Sequence, residues 1–292
     1  ITGVGTHLKF YLEVGGSYYD VTPVRATTTN AATFAATNGS TTLTVTDNSH
    51  GALAGDFVTF SSAASLGGVI TAAILNAEHQ IVSITSANVY TITSSIAANA
   101  SDSGNGGAAT DAAYQIHVGS SIELPIVGWG AGTWGAGTWG NGADSATTLR
   151  LWDQSNFGQD LVFGYRGGPV YYWSATNGVS SGSADLGVLL SSLTDASDVP
   201  TIQNVIIVSD INRFVFCFGA NTLGTTTQDP MLIRWSDQEN AVNWTPSATN
   251  QAGSLQLSSG SEIVTARQAR QAVLIWTDTA MYSLQYVGGQ IV

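Results

Sequence analysis

Two overlapping hexapeptides, Gly130-Ala-Gly132-Thr-Trp-Gly135 and Gly135-Ala-Gly137-Thr-Trp-Gly140, match the Gly-x-Gly-x-x-Gly string. Its chemistry is the close approach of backbone amides to a dinucleotide pyrophosphate, which requires a strand before the glycines and a helix N-terminus after them. No helical pattern follows here, and a bulky Trp fills a crowded position in each copy, so neither a dinucleotide nor any other cofactor is expected. Gly178-Val-Ser180-Ser-Gly182 matches the nucleophile-elbow string. That chemistry needs a triad histidine later in the chain, yet His7, His50, His79 and His117 all precede Ser180. Asp47, His50 and Asp56 fall close enough together to suggest metal ligands. Asx residues beside glycine are also what a tight turn uses, and the turn is the preferred reading. The other histidines stand on or near strand-like runs and are read as having no carboxylate partner in sequence, and no carboxylate pair stands out for glycoside cleavage, although carboxylates distant in sequence can meet in a fold. No catalytic, cofactor or metal residue is assigned, and the chain is expected not to be an enzyme. The sequons at Asn38, Asn99 and Asn243 are read as accidents of an Asn- and Thr-rich composition.

The residues that do demand a structural explanation are tryptophans. The run from Gly128 to Gly140 carries Trp129, Trp134 and Trp139 among glycines. It is too glycine-rich for a helix, and each ring offers roughly 150–250 Å² for burial. The expectation is an extended strap that plants its rings between blades or subunits. Trp235 and Trp244 join these three as docking candidates, and with Trp276 they are expected to fill space between structural repeats.

The elements that must position these rings are strands. At 292 residues, 43% of them hydrophobic, there is room for two domains and a sizeable core. Charged residues make up only 10% of the chain, against roughly 25% in typical domains, with Ser, Thr, Ala, Gly and Asn in their place. The net charge is −12, with Lys9 the one lysine and seven scattered arginines. Without a basic patch, sequence-specific nucleic-acid binding is not expected. A single cysteine, Cys217, excludes an intrachain disulfide and lies in the apolar run Phe214-Val-Phe-Cys-Phe, as a buried strand residue would. No stretch reaches the 18 apolar residues of a membrane span. The start at Ile1 and the end just after Gly288-Gly289 suggest an internal piece of a longer protein.

Leu8–Val24 reads as a hairpin turning at Gly15-Gly16-Ser17, and residues 1–25 are assigned to a platform. Residues 26–118 form a small inserted β-domain, a barrel or sandwich of about six strands. Alternation is clear at Thr41–Thr46, where Leu43 and Val45 share a face. Asp102–Gly107 is expected to be an exposed loop. In residues 119–292 three units echo one another: Leu161–Ser174, Phe214–Ser236 and Val273–Tyr286 each pair an apolar strand with an aromatic one. Their spacing suggests β-propeller blades. Helical periodicity is nearly absent, with a short turn near Asp237–Val242 the best candidate. The fold class is all-β: a partial propeller-like platform plus a small barrel or sandwich.

One region carries a resemblance. Arg234-Trp-Ser-Asp-Gln-Glu-Asn240, Asn243-Trp-Thr-Pro246 and Asn250-Gln-Ala-Gly-Ser-Leu-Gln-Leu257 resemble a recurring segment of phage tail proteins. In those proteins Trp-Ser-Asp leads through an acidic turn and a Trp-x-Pro to the next blade. The Trp-Gly run and Val45-Thr-Asp-Asn-Ser-His-Gly are similar to the same kind of protein. The family is that of tail hub or nozzle proteins of short-tailed phages. The resemblance implies a structural role in the virion tail, a homo-oligomeric ring for DNA passage, other tail proteins as partners, and no catalytic residues to carry over. The alternative is a receptor-binding adhesin of a virion or bacterial surface, stacking exposed aromatics on sugars. Further rivals are a propeller glycosidase or cell-wall hydrolase, and a bacterial surface or fibre protein.

Overall fold

The computed structural model describes residues 2–122, 149–176, 179–180, 183–184, 186–210 and 212–287, without the side chains of 104–109, 179–180 and 183–184. The fold is all-β. The chain divides into two compact units: Thr22–Gly119, and Ile1–Val21 together with Ser120–Val292. The second unit starts with β1 (Thr2–Gly5), β2 (Phe10–Val14) and β3 (Ser17–Asp20), an antiparallel sheet in that order. The β2–β3 turn uses Gly15 and Gly16 at φ of 60° and 84°, left-handed values that glycine adopts without penalty.

The Thr22–Gly119 unit is a closed barrel. Its strands are β4 (Val24–Ala36), β5 (Thr42–Thr46), β6 (Phe57–Ser61), β7 (Glu78–Ser86), β8 (Val89–Thr93) and β9 (Asp102–Gln115), in the order β4-β5-β8-β7-β6-β9. Period-two patterning fills the interior: Leu43 and Val45 point inward from β5, Val58 and Phe60 from β6, and Tyr90 and Ile92 from β8. On either side of the β5 pair, Thr42 and Thr46 face solvent. Phe34 and Phe60 meet edge to face with centroids 4.9 Å apart. A single helical turn, α1 (Ala72–Leu75), adds Leu75 to this core.

The expectation of a loop at Asp102–Gly107 is corrected. These residues open β9, pairing Asp102 with Ala36, Ser103 with Ala35 and Asn105 with Phe34. Small residues give no hydrophobic alternation to read, yet their backbone hydrogen bonds to β4 close the barrel. Three of the register shifts between β4 and β9 lie between Thr28 and Ala35, where bulges let two long strands bend around the wall.

The remaining unit continues with β10 (Trp152–Phe157), β11 (Asp160–Tyr165), β12 (Val170–Trp173), a short pair β13 (Val179–Ser180) and β14 (Ser183–Ala184), and β15 (Val188–Leu189). Next come β16 (Val205–Val208), β17 (Val215–Phe218), β18 (Leu232–Trp235) and β19 (Gly253–Gln256), then β20 (Ile263–Gln268), β21 (Val273–Thr277) and β22 (Met281–Leu284). They form antiparallel sheets β10-β11-β12-β15, β16-β17-β18-β19 and β20-β21-β22. The first two echoing units are therefore the central pairs of four-stranded sheets, and the third is the second and third strands of a three-stranded one.

These sheets stack in chain order. Phe10 of the first lies on Phe163 of the second at 4.4 Å and 11°. The first strands of successive sheets adjoin: Gln154 Nε2 donates to Gly3 O at 2.8 Å, Trp152 Nε1 to Thr6 O at 2.7 Å, and Val208 N to Ser155 Oγ at 3.0 Å. The β16–β19 sheet is covered on both faces. Val205, Ile207, Phe216 and Phe218 pack toward Ile263, Val273 and Ile275, while Ile206, Val208, Val215 and Cys217 pack toward Val162 and Val170. Two-sided burial is why these strands read as unbroken apolar runs and not as alternation.

Candidate functional site

Trp129, Trp134 and Trp139 lie outside the described residues. Trp235 and Trp244, expected as docking residues, are interior. Trp235 packs in the core between the third and fourth sheets and donates from Nε1 to Gln251 O at 2.7 Å. Its ring lies against Gly253, where an added Cβ would sit 2.5 Å from the indole. Trp244 is 1% exposed, in the core between the second and third sheets, with Nε1 donating to Ala241 O at 2.7 Å. Both rings and both N–H groups are used within the chain.

The tryptophans belong to a corner built by residues 234–257. Arg234 alternates away from Ile233 and Trp235 and is 1% exposed. Its guanidinium donates to Asp198 Oδ2 at 2.7 Å, Asp198 O at 2.6 Å and Asn221 O at 3.3 Å. Ser236 and Val215 exchange bonds: the Ser236 amide donates to Val215 O, and Ser236 Oγ accepts from Val215 N at 3.0 Å. Asp237 Oδ1 accepts amides from Gln238 and Gln251, each at 2.8 Å. The chain turns at 237–242 without forming a helix, with Glu239 at φ 57°.

A cleft of about 420 Å³ opens where the β16–β17 and β20–β21 turns approach each other. Phe214, Phe216, Val273 and Leu284 make its floor, and Tyr286 packs on Phe214 at 5.4 Å. Its rim is neutral and polar: Ser209 and Asn212 from one turn, Gln268 and Gln271 from the other, and Gln285 beside Tyr286. Gln268 Nε2 donates to Ala269 O at 2.7 Å, and Gln268 Oε1 is buried without a partner among the described residues. Nothing in the isolated amide residues announced this site; it needs two turns 59 residues apart in the chain to face each other.

Among the barrel's buried polar residues are Asp47, His50 and Asp56. Asp47, 1% exposed, accepts Tyr114 Oη at 2.6 Å and Thr28 Oγ1, and Tyr114 Oη contacts Tyr90 Oη at 3.0 Å. Burial pushes both phenols well above their ordinary pKa. His50 Nδ1 accepts the Ala52 amide at 3.0 Å, and Asp56 Oδ2 accepts the Leu53 amide at 2.8 Å, so these residues do the turn chemistry of the segment. Asp56 also meets a partner 61 residues away: His117 Nδ1 lies 2.7 Å from Asp56 Oδ2, and the Val118 amide donates to Oδ1 at 3.0 Å. Burial alone would raise the Asp56 pKa, but these hydrogen bonds hold it below its ordinary value. The carboxylate partner that His117 lacks in sequence is supplied by the barrel.

No family model matches the chain, and no curated protein matches it. Among solved structures the chain is similar to "Phage phi92 endosialidase", at 14% identity and a TM-score of 0.29, over 92% of this chain and 36% of that one. The chain thus spans about a third of that structure's length. This finding corrects the expectation that the chain is not an enzyme: the structure it is similar to is one, and a non-enzymatic role no longer stands as a conclusion. At this TM-score the likeness assigns no activity, substrate or residue.

Proposed function

We propose that the chain is a structural subunit of a phage tail, a hub, nozzle or tube component, whose copies form a ring through which DNA is delivered. The observation that carries this reading is where the resemblance to tail proteins falls. Residues 234–257 are the corner that locks the third sheet between its neighbours, through buried Arg234 and Trp244 and half-covered Asp198. A segment recurring in tail platforms does the packing work that a platform of successive blades requires. In this reading the stacked sheets are propeller-like blades of a ring wall, and the barrel is an inserted domain. Trp129, Trp134 and Trp139 are anchors between blades or subunits. Rings of identical subunits use a repeated heterologous interface. The net charge of −12 lets a conduit repel the DNA it passes.

Electron microscopy of the purified chain, alone and with virion tail components, tests the proposal. Rotationally symmetric rings are expected, lost in a Trp129→Ala, Trp134→Ala, Trp139→Ala triple variant that keeps its far-ultraviolet circular dichroism. A chain that stays monomeric under both conditions would refute it.

A further inference from the structure

We infer that the cleft between the β16–β17 and β20–β21 turns binds an uncharged saccharide. Its volume of about 420 Å³ lies at the lower end of the roughly 300–1,000 Å³ of ligand pockets, space for one or two pyranose rings. The floor is aromatic and aliphatic, and Tyr286 offers a half-buried ring beside Phe214. Such a surface suits the C–H face of a sugar.

The rim is the more selective part. Asn212, Gln271 and Gln285 each bring a carboxamide to the lining, a group that donates from one end and accepts at the other. Neighbouring sugar hydroxyls, each donor and acceptor, are the complement of that group. Among the described residues no charged side chain lines the cleft, so a carboxylated or sulfated sugar finds no counter-ion in that lining and meets a chain of net charge −12.

One detail favours a hydroxyl-bearing ligand over a peptide. Backbone bonds close the turns on themselves: Ser209 N donates to Phe214 O, Arg213 N to Ser209 O, and Ala269 N to Ala272 O. What they offer is side-chain amides, not a strand edge for pairing.

Titration calorimetry and saturation-transfer NMR on the full chain test this with neutral mono- and disaccharides of glucose, galactose and N-acetylglucosamine, beside glucuronic acid and sialyllactose. A neutral sugar is expected to bind and the anionic ones to bind at least about tenfold more weakly. Gln271→Ala and Gln285→Ala, both at exposed lining residues, are each expected to weaken binding about tenfold. The inference is overturned if no neutral sugar binds at about 10 mM, if anionic sugars bind as tightly, or if binding survives in the folded variants. The readout is independent of oligomeric state, so failure of the ring proposal and failure of this one are separable.

Discussion

Replacing Arg234 by Ala tests whether the corner holds the stacked sheets together. The guanidinium is 1% exposed and makes three hydrogen bonds, two to Asp198 and one to Asn221 O. Removing one partner of a buried ion pair costs about 3–5 kcal/mol, mostly by stranding the other charge. Asp198 is 26% exposed and also accepts the Gly224 amide at 3.1 Å, so water and that amide stabilise part of the stranded carboxylate. That places the expected loss near the lower end, about 3 kcal/mol. Arg234→Met fills the same space without the charge, and its loss is expected to be smaller, about 2 kcal/mol. For a unit of this size each kcal/mol lowers the melting temperature by about 2–4 °C, so the Ala variant melts about 6–12 °C lower. All eight tryptophans lie outside Thr22–Gly119, so tryptophan fluorescence in a urea or thermal melt reports on the stacked sheets without the barrel. A loss under about 1 kcal/mol, or a Met variant worse than the Ala variant, would refute the reasoning.

Trp244→Ala empties a fully buried site and is expected to cost about 3–5 kcal/mol in the same melt; a cost below 1 would show that the second and third sheets do not depend on it. Gly253→Ala places a Cβ 2.5 Å from the Trp235 ring, an overpacking worth about 1–3 kcal/mol, whereas Gly16→Ala meets open space and suffers only its positive φ. The lowered Asp56 pKa gives a pH signature. A carboxyl with a folded pKa below its unfolded value stabilises the fold above the unfolded value and loses that contribution as pH falls through the folded one. Barrel stability, followed by tyrosine fluorescence or circular dichroism in urea, is therefore expected to fall below about pH 4. Asp56→Asn is expected to be less stable at pH 7 and flatter in that acid range, and a variant as steep as the wild type would overturn the assignment.

The parts of the fold legible in the sequence are those where one face is wet or both are dry. Alternation exposed Leu43 and Val45 as inward residues, and the unbroken run at Phe214–Phe218 marked a strand buried on both sides. What stayed hidden had no side-chain signal. The Ala- and Thr-rich β4 and the Gly-rich start of β9 are strands because they pair with each other, and local propensity does not encode that. The same holds for the site. Tryptophans drew attention as docking residues by size, yet Trp235 and Trp244 are interior, while the amide-rimmed cleft and the Asp56–His117 pair join residues about 60 positions apart. Asn and Gln scattered through a polar sequence look like surface until the fold gathers them.

The way β4 and β9 close the barrel has a consequence for how such a chain can change. Val24 pairs with Gln115, so the polypeptide enters and leaves this unit on neighbouring antiparallel strands, whose backbones run roughly 5 Å apart. Ends that close can be joined by a two-residue turn. A unit with such ends can be cut out, or exchanged for another whose termini are equally close, with little change in the gap its connections must span. The barrel is in that sense a cassette.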